Sequence, residues 1–251
     1  MRIFTNAFEA VREVERDLWE MGIDTHPNSM QSKRVAGDSN FSTKELRAYG
    51  FQISQYVMTR ADIDQVVSYL VKDREEAVRI INYMDEEFKA RFITLKASNP
   101  GTAWRERPNI WTEFLVDGKF HYTYSERICP QFRPVVERLA RDPGSRQGIV
   151  QIFDALDPGG MSSQKSLGDD QLNAEGVGRI PCSMYYQLMV REGKVDLIYT
   201  MRSCDFLTHF IIDLVLALRM QRHAVEMLNN YGTNTALKVG TFTYFTGSLH
   251  A

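Results

Sequence analysis

Residues 182–220, CSMYYQLMVREGKVDLIYTMRSCDFLTHFIIDLVLALRM, decide the fold class. Strand-like apolar runs cover residues 184–190 and 195–201. From residue 210 to residue 228 the chain is apolar with few helix breakers, which predicts a mostly buried central helix. Strands and helices that alternate irregularly in this way indicate an α+β fold.

The flanking segments extend the same pattern in both directions. Apolar residues at helical spacing predict four further helices, at residues 8–21, 63–70, 78–88 and 132–140, the first of them ended by Gly22. Further strands are predicted at residues 48–58, 148–153 and 238–246, and polar loops at residues 26–43 and 157–178. Without an internal repeat or a low-complexity linker, residues 1–251 are expected to form a single domain.

Composition and charge exclude several classes of protein. The 251 residues are 43% hydrophobic and 25% charged, which is typical of a folded domain and not of a disordered chain. Thirty basic against 32 acidic residues give a net charge of -2, which argues against a nucleic-acid partner. No apolar stretch is long enough to cross a bilayer and the first residues lack the pattern of a secretory signal, so we expect a cytoplasmic protein with no membrane partner.

The three cysteines are an odd number, are widely spaced and form no CxxC motif, which favours reduced thiols over disulfides or a zinc site. The histidines likewise share no metal-ligand spacing, so no metal is expected.

Two segments carry residues suited to covalent chemistry. Cys182 lies between the long polar loop and a strand, where a nucleophile could be exposed, although an isolated Cys is more often a small core residue. The segment Arg202-Ser203-Cys204-Asp205 ends another strand. Its arginine could lower the pKa of a thiol or bind a phosphate, but an exposed ion pair is the commoner explanation of such a tetrapeptide.

The order and spacing of these pieces resemble the thymidylate synthase superfamily. The resemblance rests on Pro181-Cys182, Tyr186-Gln187, Arg202-Ser203-x-Asp205, Asp213 and Gly247-Ser248-Leu249-His250. Upstream, Asp142-Pro143-Gly144-Ser145-Arg146-Gln147 is similar to the phosphate-binding arm of the family. Good similarity therefore extends over about 110 residues, from Asp142 to the end of the chain, and the first 100 residues are only loosely similar.

The resemblance implies both a fold and a reaction. The fold is a twisted mixed sheet flanked by helices, with two subunits packed sheet to sheet in a homodimer. In the family a Cys thiolate, here Cys182, attacks C6 of a pyrimidine nucleotide. Covalent attack makes C5 nucleophilic, so that it takes a one-carbon unit from the cofactor 5,10-methylenetetrahydrofolate.

By the same resemblance, substrate binding falls to a small set of residues. Arg202 is expected at the 5′-phosphate, with Arg146 reaching it from the second subunit, and Ser203 is expected to bind the substrate. The family has a second arginine after Arg146; here Gln147 replaces it, which predicts weaker or rearranged phosphate binding. His250 is expected at the sugar hydroxyl.

The remaining roles concern the folate and the catalytic protons. Asp205 is expected to orient the folate and act in catalysis, and Trp111 matches a family position near the folate. A catalytic glutamate is expected about 22 residues before Trp111, where Glu86 and Glu87 are the candidates; we favour Glu87. A solvated helix face is an equally good explanation of these two carboxylates.

Asp213 bears on the identity of the base. Synthases carry Asn at this position, which matches the N3–H donor and O4 acceptor of uracil. A carboxyl group can accept a hydrogen bond from N4 of cytosine and, if protonated, donate one to N3. Asp213 therefore favours cytosine, and the competing interpretation is a local cap or salt bridge within an apolar run.

Three further departures from the synthases, Ser183, Met201 and the Gly247-Ser248-Leu249-His250 ending, resemble the phage-type deoxycytidylate hydroxymethylase branch. In that branch water traps the exocyclic methylene and gives a 5-hydroxymethyl group. Phage members use dCMP and relatives in nucleoside-antibiotic pathways use CMP, and the sequence leaves both open.

A thymidylate synthase acting on dUMP is one alternative function. A catalytically silent nucleotide-binding homologue is the other, because of Gln147 and because the chain ends at Ala251, where the family has a closing tail.

Overall fold

A mixed β-sheet organises the molecule. The computed structural model describes residues 1–27, 29–30, 33–34, 42–155, 157, 180–232 and 236–251. The strands are β1 (Arg2–Phe4), β2 (Ile23–Thr25), β3 (Ser29–Met30), β4 (Lys33–Arg34), β5 (Thr43–Ile53), β6 (Ile149–Gln151), β7 (Ser183–Arg191), β8 (Lys194–Asp205) and β9 (Lys238–His250). The helices are α1 (Ala7–Met21), α2 (Arg60–Leu70), α3 (Arg74–Phe88), α4 (Pro108–Trp111), α5 (Tyr124–Arg141) and α6 (Ile211–Asn230).

The described strands pair in the order β1-β5-β9-β8-β7-β6, with β2 also paired to β5, and β3 and β4 form a separate pair. Strand β8 lies parallel to β9 and antiparallel to β7, while β5 is antiparallel to β9. This mixed sheet flanked by helices confirms the α+β class. No helix in the described part of the chain has the length and apolar character needed to cross a membrane.

The core forms where α6 packs against the sheet. Alternate residues of β8 are buried, as a strand with one covered face requires, and α6 is buried over most of its length. Its one polar residue in this core, Gln221, donates to the carbonyl oxygen of Val195 at 2.8 Å. That carbonyl lies where the register between β8 and β9 shifts, so the amide satisfies a strand group near the irregularity.

Most predicted elements are confirmed, but several boundaries were wrong. The strand predicted at residues 48–58 is β5, which begins and ends five residues earlier, and the predicted loop at residues 26–43 contains the short strands β3 and β4. The helix predicted at residues 132–140 is α5, which begins at Tyr124 because Thr123 and Glu126 form a capping box there. The strand predicted at residues 148–153 is the short edge strand β6. Apart from Asp157, the loop predicted at residues 157–178 lies outside the described residues.

Gly22 ends α1, as predicted, but not through a left-handed conformation. Its φ and ψ of -64° and 138° are extended, and its N–H donates to the carbonyl oxygen of Leu18. A Cβ at this position would lie 2.3 Å from that oxygen. Close approach of the chain to the last helical turn is therefore what requires glycine here.

We expect Phe210→Ala to lower the free energy of unfolding by about 3–5 kcal/mol, since it leaves a cavity in the core. Phe210 is fully buried, with its ring centroid 6.2 Å from that of Phe51 and 5.6 Å from that of Tyr244. The control is Leu207→Ala, at a side chain that is 59% exposed on the same turn. Chemical denaturation measures both, and similar losses in the two variants would contradict this account of the core.

Candidate active site

A cavity of about 680 Å³ opens where the ends of β5, β8 and β9 meet α3 and the start of α6. It gathers nearly all of the predicted site residues: Cys182, Arg202, Ser203, Asp205, Asp213, His250, Glu87 and Trp111. Residues so far apart in sequence meet here because β8 pairs with β7 on one side and with β9 on the other.

Cys182 and Arg202 are adjacent because β7 and β8 are antiparallel and Ser183 pairs with Met201. The Nη2 atom of Arg202 lies 3.9 Å from the Cys182 sulfur, and the Ser203 hydroxyl lies 3.8 Å from it. The guanidinium is held in place because it donates to the carbonyl oxygens of Pro181, at 3.1 Å, and Ile180, at 2.8 Å. A fixed cation thus stands beside the sulfur, where it can attract negative charge on the sulfur or on a ligand.

Hydrogen-bonded tyrosines support the backbone behind Cys182. The N–H of Ser183 donates to the Tyr124 hydroxyl at 3.3 Å, and the Ser183 hydroxyl lies 2.5 Å from that of Tyr199. Desolvation raises the pKa of Tyr124 and of Tyr199 well above the ordinary value, so both phenols are neutral. The sequence patterns above do not point to Tyr124; the signal for it is the capping box at Thr123, which makes Tyr124 the first residue of α5.

Asp213 faces the cavity from the first turn of α6. Desolvation raises the pKa of its carboxyl group to about 7; Arg91 opposes this shift and Glu87 adds to it. Below that pH the side chain is a neutral acid that can both donate and accept a hydrogen bond.

Glu87 is held by a cation that the sequence did not point to. Its Oε2 atom accepts from Nε of Arg91 at 2.5 Å, and the two side chains are only 19% and 7% exposed. The guanidinium carbon of Arg91 also lies 4.6 Å from the ring centroid of Tyr124. Of the two predicted carboxylates, Glu87 lines the cavity, whereas Glu86 accepts from the Thr102 hydroxyl at 3.4 Å.

Trp111 belongs to a group of aromatic side chains that line the cavity and contact one another, which we call its aromatic side, and Asp205 lines the same cavity. The Trp111 ring stacks on Tyr83, with centroids 6.5 Å apart, and lies 5.5 Å from His209. Asp205 has a structural role as well, because its Oδ1 atom accepts from the N–H of Thr208 at 2.9 Å and caps the π-helical turn that leads into α6.

His250 lies at the end of β9, beside Asp205 of β8. Desolvation lowers its pKa, partly offset by Asp205 and Glu45, so the imidazole is neutral at pH 7. Its Nδ1 atom lies 3.4 Å from the hydroxyl of Ser248, which in turn donates to Glu45 on β5.

Arg146 does not line the cavity of its own chain. It precedes β6 beside a separate depression, and its carbonyl oxygen accepts from Nε2 of Gln187 at 2.9 Å. The side chain of Gln147 accepts from Arg138 of α5. Supply of Arg146 across a subunit interface remains a prediction.

The fold is that of thymidylate synthases. Thermostable thymidylate synthase A from Bacillus subtilis superposes with a TM-score of 0.64 at 15% identity, covering 96% of this chain and 78% of that enzyme. Thymidylate synthase from T4 phage superposes with a TM-score of 0.52 at 15% identity, over 95% of this chain and 74% of that enzyme.

In sequence, the chain is similar to the deoxycytidylate 5-hydroxymethyltransferase of Enterobacteria phage T4, with 25% identity over 171 residues. That match covers 66% of this chain and 63% of the length of the phage enzyme. No protein-family model matches the chain. The two kinds of comparison together confirm the resemblance to the thymidylate synthase superfamily and to its hydroxymethylase branch.

We expect Asp213→Asn to stabilise the protein at neutral pH. Because the folded-state pKa of about 7 exceeds the ordinary 3.8, the folded protein keeps a proton that the unfolded chain releases, and stability falls as pH rises through this window. The variant lacks that loss, so at about pH 8 its free energy of unfolding is higher by about 1–4 kcal/mol. The gain disappears near pH 4. Denaturant unfolding across pH tests this against Asp117→Asn, in an exposed turn; a gain that does not change with pH would contradict it.

We expect Arg91→Met to lower the free energy of unfolding by about 3–5 kcal/mol, since it leaves Glu87 buried without its cation. The double variant Arg91→Met/Glu87→Gln recovers most of the loss, because no unpaired charge remains. In the exposed Arg222–Glu226 pair, Arg222→Met changes stability by less than about 1 kcal/mol. Urea denaturation of all four proteins measures this coupling, and a double variant as unstable as Arg91→Met would refute it.

Proposed function

We propose that the protein is a cytidylate 5-hydroxymethyltransferase. The observation that carries the proposal is that Asp213, with a pKa near 7, lines the same cavity as the Cys182–Arg202 pair. Similarity to a phage enzyme named for deoxycytidylate hydroxymethylation supports it.

In this proposal Asp213 recognises the base through hydrogen bonds. As a neutral acid it donates to the bare N3 of cytosine and accepts from the N4 amino group. Uracil offers N3–H and O4 in the same positions, and the ionised carboxylate would place its lone pairs against O4, with no proton to donate to it. A buried group left unpaired or mismatched is costly, and this cost is the source of the discrimination.

Cys182 adds to C6 of the base as a thiolate, with Arg202 next to the sulfur and Ser203 next to Arg202. The addition turns C5 into a nucleophile. Arg202 and Ser203 both line the cavity, where the guanidinium can bind the 5′-phosphate together with the Ser203 hydroxyl. We assign Arg146 of a second subunit to the same phosphate.

The aromatic side of the cavity fits a flat heterocyclic cofactor. Trp104, Trp111 and Phe114 supply apolar surface there, and Asp205 supplies a carboxylate for the polar edge of a heterocycle. 5,10-Methylenetetrahydrofolate would bring a one-carbon unit at the oxidation level of formaldehyde. Trp111 and Asp205 would hold it.

Once C5 has taken the one-carbon unit, it loses its proton and tetrahydrofolate departs from the new carbon, which leaves an exocyclic methylene on C5. Glu87 is the proton acceptor for the last step, in which water adds to that methylene. One proton of the water goes to Glu87, the hydroxyl goes to the methylene carbon, and release of the Cys182 sulfur from C6 restores the aromatic base. Arg91 keeps Glu87 in one orientation through its Nε–H hydrogen bond. The product is the 5-hydroxymethyl nucleotide.

The experiment is incubation of the protein with methylenetetrahydrofolate and, separately, CMP, dCMP, dUMP and UMP, with mass spectrometry of the products. We expect a hydroxymethyl adduct on a cytidylate and none on a uridylate. Cys182→Ser abolishes the product, whereas Cys129→Ser, at a buried thiol outside the cavity, retains it. Asp213→Asn lowers kcat/KM for the cytidylate by about 100-fold and improves use of dUMP.

Other outcomes point to other functions. A methyl adduct on dUMP from the wild-type protein would identify a thymidylate synthase and overturn the assignment of Asp213. Tight nucleotide binding without any product would identify a catalytically silent homologue.

A further inference from the structure

Three polar side chains on the sheet side of the cavity form a cluster that the proposed reaction does not use as a whole. Glu45 on β5 is the register partner of His250 on β9, and Ser248 lies two residues before His250. The Ser248 hydroxyl donates to Oε1 of Glu45 and lies 3.4 Å from Nδ1 of His250. All three line the cavity, and we call them the acceptor cluster.

The hydrogen-bond roles within the acceptor cluster follow from counting protons. Serine has one hydroxyl proton, and here it goes to the carboxylate, which can only accept. At the contact with His250 the serine oxygen must then accept, so Nδ1 carries the ring proton. In the neutral imidazole this leaves Nε2 as an acceptor, and desolvation, which lowers the pKa of His250, keeps the ring neutral.

Toward a ligand the acceptor cluster therefore presents acceptors of two kinds. One is Nε2 of His250. The other is the Glu45 carboxylate, because Ser248 uses only one of its roughly four acceptor positions. A ligand that satisfies both must bring two hydrogen-bond donors close together.

The position of the acceptor cluster relates it to the sugar of a nucleotide. Ser248 is the register partner of Ser203, and His250 that of Asp205, so the cluster lies one to two strands from Arg202. Adjacent strands are about 4.8 Å apart, which is the scale of a sugar ring. With the phosphate at Arg202 and the base at Cys182 and Asp213, the sugar that joins them has its hydroxyl edge available to β9 and β5.

We propose that the acceptor cluster binds the vicinal 2′- and 3′-hydroxyls of a ribose, and that the substrate is the ribonucleotide CMP. A ribose supplies two neighbouring donors, the 2′-hydroxyl for the Glu45 carboxylate and the 3′-hydroxyl for the His250 imidazole, whereas a deoxyribose supplies only the 3′-hydroxyl. A carboxylate that accepts from a ribose 2′-hydroxyl is an established solution in dinucleotide-binding folds. This inference rests on the proposed function for the base and phosphate positions, and it departs from the deoxycytidylate named for the phage relative.

The test compares CMP with dCMP in the wild-type protein, Glu45→Gln and Glu45→Ala, with Glu226→Gln as a surface control on α6. Steady-state kinetics give kcat/KM for both nucleotides, and calorimetry with Cys182→Ser gives their affinities without turnover. We expect the wild-type protein to prefer CMP by about tenfold or more, the usual effect of a hydrogen bond to a charged group. In each Glu45 variant kcat/KM for CMP falls, so most of that preference is lost, whereas kcat/KM for dCMP changes by less than about twofold. Glu226→Gln keeps the preference.

A wild-type preference for dCMP would overturn the inference, and so would Glu45 variants in which kcat/KM falls equally for both nucleotides. Either result would leave the hydroxymethylase proposal intact. The second result would make Glu45 a structural brace between β5 and β9. Binding that favours CMP through Glu45, without any hydroxymethyl product, would support the ribose site and overturn the proposed reaction. If neither nucleotide binds, both proposals fail. Thermal unfolding of each variant identifies any that does not fold.

Discussion

The pairing of β8 with β7 on one side and β9 on the other is the constraint on which the site depends. The antiparallel ladder puts Cys182 beside Arg202, and the parallel ladder puts Asp205 beside His250. Both ladders are fixed by the buried face of β8, because a slip of one residue would turn its apolar side chains away from α6. The positions of the cavity residues therefore depend on how β8 packs in the core.

The charges in the cavity are arranged around Arg91. It forms an ion pair with Glu87 and acts on Asp213 through space, so one cation influences two carboxyl groups of different character. Glu87 accepts a hydrogen bond from the guanidinium, whereas Asp213 is desolvated and has a pKa near 7. The two carboxyl groups therefore lie in different environments within one cavity.

Buried polar groups of this kind lower the free energy of unfolding unless they are hydrogen-bonded, and residues around the cavity supply hydrogen bonds and close packing. Tyr124 and Tyr199 each form a hydrogen bond with Ser183, and Asp205 both lines the cavity and caps the turn before α6. Around them, the rings of Phe51, Phe210 and Tyr244 pack closely. The cavity is thus lined by residues of packed, hydrogen-bonded strands and helices.

The sequence by itself determined the fold class, the central helix and most residues of the cavity. Apolar periodicity reports burial directly. The segments Pro181-Cys182, Arg202-Ser203 and Gly247–His250 carry the resemblance to the thymidylate synthase superfamily, and that resemblance indicated the cavity residues. The sequence did not predict the boundaries of β5 and α5, because strand pairing and a cap extend these elements past their apolar stretches. Nor did the sequence predict three further cavity residues, since each reaches the cavity from a different helix or strand: Arg91, Tyr124 and Glu45. Only the tertiary structure decided that Glu87 and not Glu86 lines the cavity, because burial and hydrogen-bond partners arise from contacts between segments that are distant in the chain.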